Sequence, residues 1–285
     1  MAMPLTDELL GVEEHSRDSA GMTYVYPVIS RRAGGVSVGI NLNPNNACNW
    51  QCVYCQVPGL TRGGPLPIDL GLLGDELDRF LADATAGSFM QQRVPETARH
   101  LVDAAFSGNG EPTSANEFPD AVDVVVGILR KRPVTAGLRL RLITNGSLIG
   151  RRYVQEGLNK MGRANGEVWF KMDSATTTGI FAVNNVRASP EAALRRLRVS
   201  AALCPTWIQS CFFMRAGRPP SRLELDAYIK AVGSVADVVA GVHLYGLARQ
   251  PMQPGAAGLG RLAPAWFDEL ARQLESQGLN VTVSP

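Results

Sequence analysis

Three of the five cysteines in this chain fall within eight consecutive positions. Cys48, Cys52 and Cys55 follow a C-x3-C-x2-C spacing, and no other cysteine or histidine lies near them in the sequence. A structural zinc site needs four protein ligands, so zinc would require a distant fourth residue. A cubane iron–sulfur cluster held by three cysteines would keep one iron open to a substrate or cofactor. The spacing therefore favours an iron–sulfur cluster with one reactive iron, and zinc or no metal at all are the alternatives.

Two polar turns carry further residues that suit ligand binding. The segment SGNGEPT contains Gly110 and Glu111. Its glycines would let the backbone approach a ligand, and Glu111 could accept hydrogen bonds from an ammonium group. The segment ITNGSL places Asn145 just before a predicted helix. An ordinary Gly-Pro turn and a helix cap are the structural alternatives for these two segments.

The segment VWFKMD, residues 168–173, shows the two-residue period of a strand with unlike faces. Lys171 and Asp173 share one face, opposite the apolar Val168 and Phe170. If the apolar face packs on helices, both charged side chains point into the interior of a barrel, and Ser174 follows directly. A structural buried ion pair is the alternative interpretation.

Other predicted strands offer candidates for contact with a substrate. These lumen candidates are Gln209, Cys211, His243 and Tyr245. Buried thiols are usually inert core residues, and a strand histidine usually has a structural partner, so core roles are favoured for Cys204, Cys211 and His243. Arg139 and Arg141 could face inward and bind an anion, but solvated arginines are the favoured interpretation.

Strands and helices alternate along the chain. Strands are predicted at 36–42, 101–107, 138–144, 168–173, 207–214 and 237–245, with helices between them and a short terminal strand, VTVS. Such alternation predicts a parallel sheet with right-handed crossovers, and six or seven units suit an open barrel better than a closed one. We therefore predict an α/β fold, a partial (β/α)6 TIM-like barrel. Residues 1–35 are predicted as an N-terminal extension, and residues 36–285 as a single domain.

Composition limits the class of protein. The 285 residues are 45% hydrophobic with a net charge of +2, which argues against a disordered or fibrous chain. No stretch approaches the roughly 18 apolar residues of a membrane span, and the first residues do not resemble a signal peptide. The odd number of cysteines makes a poor disulfide framework. We expect a cytoplasmic protein with no membrane partner.

The segment CNWQCVYC resembles the signature of the radical S-adenosylmethionine (SAM) superfamily. The longer segment SRRAGGVSVGINLNPNNACNWQCVYCQ, with SGNGEPT and ITNGSL, is similar to a group that includes the wyosine-forming tRNA enzymes. The resemblance extends from about Ser30 to Pro251. It implies that Cys48, Cys52 and Cys55 hold a [4Fe-4S] cluster.

The resemblance also implies a SAM site and residues that form it. Tyr54 would lie near the adenine, the segment with Gly110 and Glu111 would receive the amino group, and Asn145 would reach the ribose or the methionyl group. Lys171 would pair with the SAM carboxylate. Asp173 or Ser174 would contact the ribose.

The function implied is reductive cleavage of SAM and hydrogen abstraction from an unidentified substrate. The partners implied are a flavodoxin or ferredoxin-type reductant and a small-molecule, nucleoside or peptide substrate, with tRNA also open. The wyosine-forming enzymes use a second cluster on upstream cysteines, and no cysteine precedes Cys48, which argues against that reaction here. Modification of a tRNA nucleoside, glycyl-radical activation and a noncatalytic metal- or RNA-binding role are the alternatives. Seven arginines could line a phosphate-binding surface or be solvated: Arg31, Arg32, Arg151, Arg152, Arg195, Arg196 and Arg198.

Overall fold

A computed structural model describes residues 9–11, 21–30 and 34–285. His15, Arg31 and Arg32 lie outside these ranges. The strands of the described part are β1 (Val25–Ile29), β2 (Val36–Ile40), β3 (Ala47–Cys48), β4 (Thr61–Arg62), β5 (Leu101–Phe106), β6 (Arg139–Thr144), β7 (Gly166–Lys171), β8 (Thr206–Cys211), β9 (Met214–Arg215), β10 (Gly241–Tyr245), β11 (Leu259–Gly260) and β12 (Val281–Ser284). The α-helices are α1 (Leu70–Ala86), α2 (Phe89–Arg93), α3 (Phe118–Arg130), α4 (Pro133–Ala136), α5 (Arg152–Arg163), α6 (Thr177–Asn184), α7 (Pro190–Leu203), α8 (Arg222–Gly233) and α9 (Pro264–Glu275).

One sheet organises the molecule. Its strand order is β1-β2-β5-β6-β7-β8-β10-β12, and every neighbouring pair is parallel except β1 with β2. Over the described residues β1 and β12 are the two edges and do not pair with each other, so the barrel is open. Helices follow the strands in sequence, as right-handed crossovers require. The predicted partial TIM-like α/β fold is confirmed.

Polar side chains cap the first turns of three helices. Asp69 accepts a hydrogen bond from the Leu72 amide at 2.9 Å at the start of α1. Ser189 caps α7 with Pro190 in the first turn, and Ser221 with Glu224 forms a capping box at the start of α8. These caps satisfy amides that would otherwise lack partners, which fixes where each helix begins.

The sheet divides its side chains between an apolar outer face and a polar lumen. Outward residues such as Leu142 and Phe170 belong to the main hydrophobic core, where the helices pack. Inward residues include Arg141 and Trp169, which line an internal chamber. The two-residue period of the strands places polar groups inside the barrel while the helices cover the apolar face.

Strand β1 was missed by the sequence analysis. It lies within the predicted N-terminal extension and pairs antiparallel with β2, Val25 opposite Ile40 and Ile29 opposite Val36. Pro27 interrupts its apolar run and removes a backbone donor, which is tolerated because β1 is an edge strand. A second departure concerns the predicted strand 237–245, which begins only at Gly241 because the preceding residues form turns.

The floor of the lumen is an ionic network. Arg141 donates to Glu167 Oε1 at 2.6 Å and bonds to Asp103, while Arg139 donates to Glu167 Oε2 at 2.9 Å. Arg141 also lies over the ring of Trp169, 4.8 Å from its centroid. The expectation of solvated arginines is therefore wrong for Arg141, because two buried carboxylates on neighbouring strands hold its guanidinium inside the barrel.

Glu167 should contribute pH-dependent stability through this network. Burial opposes its charge, but Arg141 and Arg139 outweigh that effect and hold the pKa of this carboxyl below its usual 4.5. Its contribution is therefore complete above about pH 4.5 and is lost as the pH falls through the lower native pKa. We expect Glu167→Gln to lower the free energy of unfolding by roughly 2 kcal/mol at pH 7 and by less at pH 3.

Urea unfolding at pH 3, 5 and 7 measures this difference. The control is Glu275→Gln, which changes an exposed carboxylate at the end of α9. A Glu167→Gln effect that stays constant over the pH range would contradict the assignment.

No helix among the described residues has the length and apolar character needed to cross a membrane.

Candidate active site

The three cysteines lie in the loop after β2, at the carboxyl ends of the parallel strands. β3 pairs with β4, so that Cys48 lies opposite Arg62. All three thiols line one cavity of about 280 Å³. The same cavity is lined by the predicted SAM-site residues Tyr54, Gly110, Glu111, Asn145 and Lys171.

Asparagines fix the backbone of this loop. Asn43 donates to the Ala47 carbonyl at 3.0 Å, immediately before Cys48. Asn109 donates to Asn46 Oδ1 at 2.7 Å, and Asn145 donates to Asn49 Oδ1 at 2.8 Å. These contacts join the cysteine loop to the turns after β5 and β6. This structural role of the asparagines was not predicted.

The thiols have the surroundings of metal-binding thiolates. The Trp50 amide donates to Cys48 Sγ at 3.4 Å, and Asn184 Nδ2 donates to Cys52 Sγ at 3.2 Å. Such bonds to sulfur stabilise thiolates bound to iron. Burial raises the pKa of both Cys48 and Cys52 to about 12, so these groups become thiolates when a bound cation supplies compensating charge.

The three thiols that line one cavity could each bind one iron of a cluster. Among the described residues, no three His, Cys, Asp or Glu side chains converge as ligands of one metal ion. A cubane cluster does not need such convergence because each cysteine binds a different iron. The donor set of three thiols around one cavity therefore fits a [4Fe-4S] cluster with one iron that takes no protein thiol.

The glycines after β5 allow close packing against the cysteine loop. A Cβ on Gly108, where φ is +132°, would lie 2.5 Å from Asn41 Oδ1. A Cβ on Gly110 would lie 2.2 Å from the Ala47 carbonyl oxygen. The glycines thus serve contacts within the protein as well as the edge of the cavity, which the sequence analysis attributed to ligand approach alone.

We expect Gly110→Ala to displace the cysteine loop, because the new methyl group would overlap the backbone next to Cys48. The iron and sulfide retained after anaerobic reconstitution should fall well below the wild-type content, and stability should drop by about 1–3 kcal/mol. The control is Gly127→Ala in α3, where an added Cβ meets no atom within 4 Å. Equal iron content in the two variants would show that the close approach at Gly110 does not matter.

Glu111 is committed to contacts within the protein. Its Oε1 accepts from the Thr113 hydroxyl and the Thr144 hydroxyl, both at 2.6 Å, and its Oε2 accepts from the Asn145 amide at 2.7 Å. Burial raises the pKa of Glu111 above its usual value, although these hydrogen bonds favour the anion. Glu111 therefore joins the turns after β5 and β6 and also borders the cavity.

Asp173 joins three segments around the cysteine loop. Its carboxylate accepts from the Tyr54 hydroxyl at 2.6 Å, from Asn184 Nδ2 at 2.8 Å and from the Cys211 amide at 2.9 Å. Asn184 also bonds to Cys52, so one amide side chain contacts both Asp173 and a predicted cluster ligand. Neither α6, which supplies Asn184, nor this role of Asp173 was predicted.

Lys171 brings a positive charge to the cavity wall. Its Nζ donates to the Tyr245 hydroxyl at 2.7 Å and lies 4.8 Å from the centroid of the Tyr54 ring. Burial alone would lower the pKa of Lys171, but the attraction of Tyr245 and Asp173 raises it above its ordinary value. The ammonium group therefore remains charged at neutral pH.

The lumen candidates and the remaining predicted SAM-site residues do not all line the thiol cavity. Gln209 and Tyr245 line the thiol cavity, whereas Cys211 lines a neighbouring chamber of about 230 Å³. Ser174 and Asp173 line a third cavity, of about 110 Å³, beyond β8. His243 is half-buried; it stacks on Trp207, with ring centroids 4.4 Å apart, and bonds to Thr282, so it has structural partners.

The thiol cavity and the neighbouring chamber adjoin each other. They share six lining residues: Tyr54, Gln56, Ser107, Ile143, Tyr245 and Arg249. The chamber extends down the lumen to Asp103, Arg141 and Trp169. The arrangement provides space for a second molecule beside whatever occupies the thiol cavity.

We compared the sequence and the structure of the chain with those of known proteins. No protein-family model matches the sequence, and no curated protein is significantly similar to it. A radical SAM methyltransferase from Sphaerobacter thermophilus has a similar structure, with a TM-score of 0.60 at 15% identity over 91% of this chain and 68% of its own.

Two further solved structures are similar. TYW1 with a lysine-pyruvate adduct bound gives a TM-score of 0.55 at 14% identity, over 86% of this chain and 74% of its own. The structure of anSMEcpe with bound AdoMet gives 0.55 at 17% identity, over 87% of this chain and 63% of its own. Together with the cysteine loop at the carboxyl ends of an open parallel barrel, these likenesses show that this chain has the radical SAM fold.

Proposed function

We propose that the chain is a radical SAM enzyme. Cys48, Cys52 and Cys55 would ligate a [4Fe-4S] cluster, and SAM would occupy the remainder of the thiol cavity. The observation that carries the proposal is the convergence of the three thiols, Gly110, Asn145 and Lys171 on this one cavity. With both cofactors bound, the cluster would supply the electron for reductive cleavage of SAM, and that cleavage would supply the oxidising power for hydrogen abstraction from a substrate.

The protein's own residues would bind and orient SAM. Lys171, held by Tyr245, supplies a cation for the carboxylate of the methionyl group. The polar turn at Asn145 and the backbone at Gly110 border the same space and offer hydrogen bonds to the amino group and ribose. Tyr54 is oriented by Asp173, which suits a role beside the adenine. Asp173 and Ser174 would act on SAM only through such neighbours, since neither lines this cavity.

The substrate would bind in the chamber that adjoins the thiol cavity. Its walls combine aromatic groups with the paired guanidinium of Arg141. A small molecule, a nucleoside or a peptide side chain that enters this chamber would meet SAM at the shared boundary near Tyr245. Burial and the surrounding strands would shield the radical from water.

The proposal is tested by SAM binding to the reduced cluster. The chain is reconstituted anaerobically with iron and sulfide, reduced with dithionite, and examined by electron paramagnetic resonance with and without SAM. We expect SAM to change the spectrum of the wild type and of Cys204→Ala, which removes a buried thiol outside the cavity. Cys52→Ala should lack the cluster signal. A cluster spectrum that SAM leaves unchanged would refute a SAM-binding iron and favour a noncatalytic metal-binding role.

A further inference from the structure

Four exposed arginines surround the outer side of the cysteine loop. This arginine face consists of Arg62, Arg151, Arg152 and Arg187. Within the described residues none of the four forms a salt bridge. The nearest acid on α5, Glu156, pairs instead with Lys160 at 3.0 Å. The face therefore carries an uncompensated positive charge.

Hydrogen bonds connect the arginine face to Cys48. Arg62 lies opposite Cys48 in the short β3–β4 pair and donates from Nη1 to the Asn49 carbonyl at 3.3 Å. Its Nη2 donates to the Asn185 carbonyl at 2.9 Å, two residues before Arg187. Asn49 Nδ2 donates to Ser147 at 2.8 Å, in the turn that leads to α5. The four cations thus lie around the segment that carries a predicted cluster ligand.

Helix stability does not explain two of these arginines. Arg151 is the N-cap residue of α5 and makes no side-chain cap bond, and Arg152 is the first residue of the helix. The first turn of α5 contains no acidic residue. The positive end of the helix dipole disfavours cations there, by about 0.3–1 kcal/mol each. Their presence points to a negatively charged partner outside the chain.

We infer that the arginine face docks an acidic one-electron carrier protein. This inference rests on the proposed function, which requires one electron for each SAM cleaved. At each docking the reduced carrier would lose one electron and the cluster bound beside Cys48 would gain it. A face of four arginines suits such a partner, because transient electron-transfer complexes bury less surface than stable ones, below about 1,200 Å².

The charge pattern favours a protein over an RNA. RNA held through its phosphates requires cations spread along the track of the backbone. The arginine face is instead linked to one loop residue, Asn49, which accepts from Arg62 and donates to Ser147 in the turn before α5. Arg198, on α7, is engaged with Asp237 and with the Ser234 carbonyl and so is not part of an uncompensated surface.

The test compares charge reversal at two places on the reconstituted chain. Arg151→Glu/Arg152→Glu/Arg187→Glu alters the arginine face, and Arg79→Glu/Arg130→Glu alters two exposed arginines on α1 and α3. The probe is flavodoxin, whose binding is measured by fluorescence titration at 50 and 300 mM salt. We expect the first variant to weaken binding at least tenfold at low salt and the second to change it less than threefold. Both should form 5′-deoxyadenosine at the wild-type rate with dithionite, which needs no docking.

Three results would overturn the inference. The first is wild-type flavodoxin binding by the Arg151/Arg152/Arg187 variant. The second is an equal loss in the Arg79/Arg130 control. The third is loss of binding to a transcribed tRNA with flavodoxin binding intact, which would assign the face to RNA. If charge reversal prevents folding, Arg151→Gln/Arg152→Gln should still weaken flavodoxin binding measurably, and its failure to do so would also overturn the inference. A wild-type chain with a SAM-responsive cluster that forms no 5′-deoxyadenosine with dithionite, even with candidate substrates supplied, would instead refute the proposed function.

Discussion

Replacing Asp173 with alanine should lower the free energy of unfolding by about 3–5 kcal/mol, the range for removing one partner of a buried charged pair. The carboxylate is buried and accepts hydrogen bonds from Tyr54, Asn184 and the Cys211 amide. Without it, these buried donors lose their acceptor, and the nearby Lys171 loses an anion that favours its charge. The cysteine loop should also become mobile, because Tyr54 lies between Cys52 and Cys55.

Guanidinium chloride unfolding of the metal-free chain measures this loss, and iron content after reconstitution measures the effect on the loop. Asp75→Ala is the matched control because it removes an exposed carboxylate from α1. Asp173→Asn should lose less stability than Asp173→Ala, since the amide oxygen still accepts from one donor. If Asp173→Ala were as stable as the Asp75→Ala control, the three hydrogen bonds could not be holding these segments together.

Replacing Lys171 with methionine should weaken SAM binding by about 10- to 100-fold while leaving the cluster in place. A hydrogen bond to a charged group contributes about 1.5–3 kcal/mol, which corresponds to this range of affinity. Lys171 borders the thiol cavity, and its ammonium group lies between Tyr245 and Tyr54. Methionine keeps much of the side chain's length but removes the cation available to the SAM carboxylate.

Equilibrium dialysis with radiolabelled SAM measures the change on protein of verified iron content. Lys160→Met, which removes a lysine paired with Asp123 and Glu156 on the outer helices, should bind SAM as the wild type does. Tyr245→Phe removes the hydrogen-bond partner of Lys171 and keeps its charge, so it should cause a smaller loss. An unchanged SAM affinity in Lys171→Met would show that another group neutralises the carboxylate.

The sequence predicted the fold where local patterns are strong. The caps at Asp69, Ser189 and Ser221 and the alternation in β6 and β7 follow from hydrogen bonding and burial within a few residues. Edge strand β1 was not predicted, because Pro27 disrupts the usual strand pattern. The turns before Gly241 were read as strand because Val238 and Val239 favour strands when considered alone.

The thiol spacing and the polar turns after the strands are visible in the sequence, whereas the grouping of the cavity-wall residues around the thiols was implied by the family resemblance. The partners that hold the site were not predictable in this way. Asn184 contacts Cys52 across 132 positions of sequence, and Tyr54 contacts Asp173 across 119. No periodicity of residue types along the sequence specifies contacts between residues so far apart. They depend on how α6 and the cysteine loop pack together over the end of the barrel.

The most direct test of the central claim is the anaerobic formation of 5′-deoxyadenosine from SAM by the reconstituted, dithionite-reduced chain. We expect the wild type and Cys204→Ala to form 5′-deoxyadenosine and methionine in equal amounts. Cys52→Ala should form only background amounts of both products. With SAM carrying no deuterium, incorporation of deuterium into 5′-deoxyadenosine from a deuterated candidate substrate would then identify the molecule that occupies the chamber. A full complement of iron and a SAM-responsive cluster with no 5′-deoxyadenosine, even after candidate substrates are supplied, would contradict radical SAM catalysis by this chain.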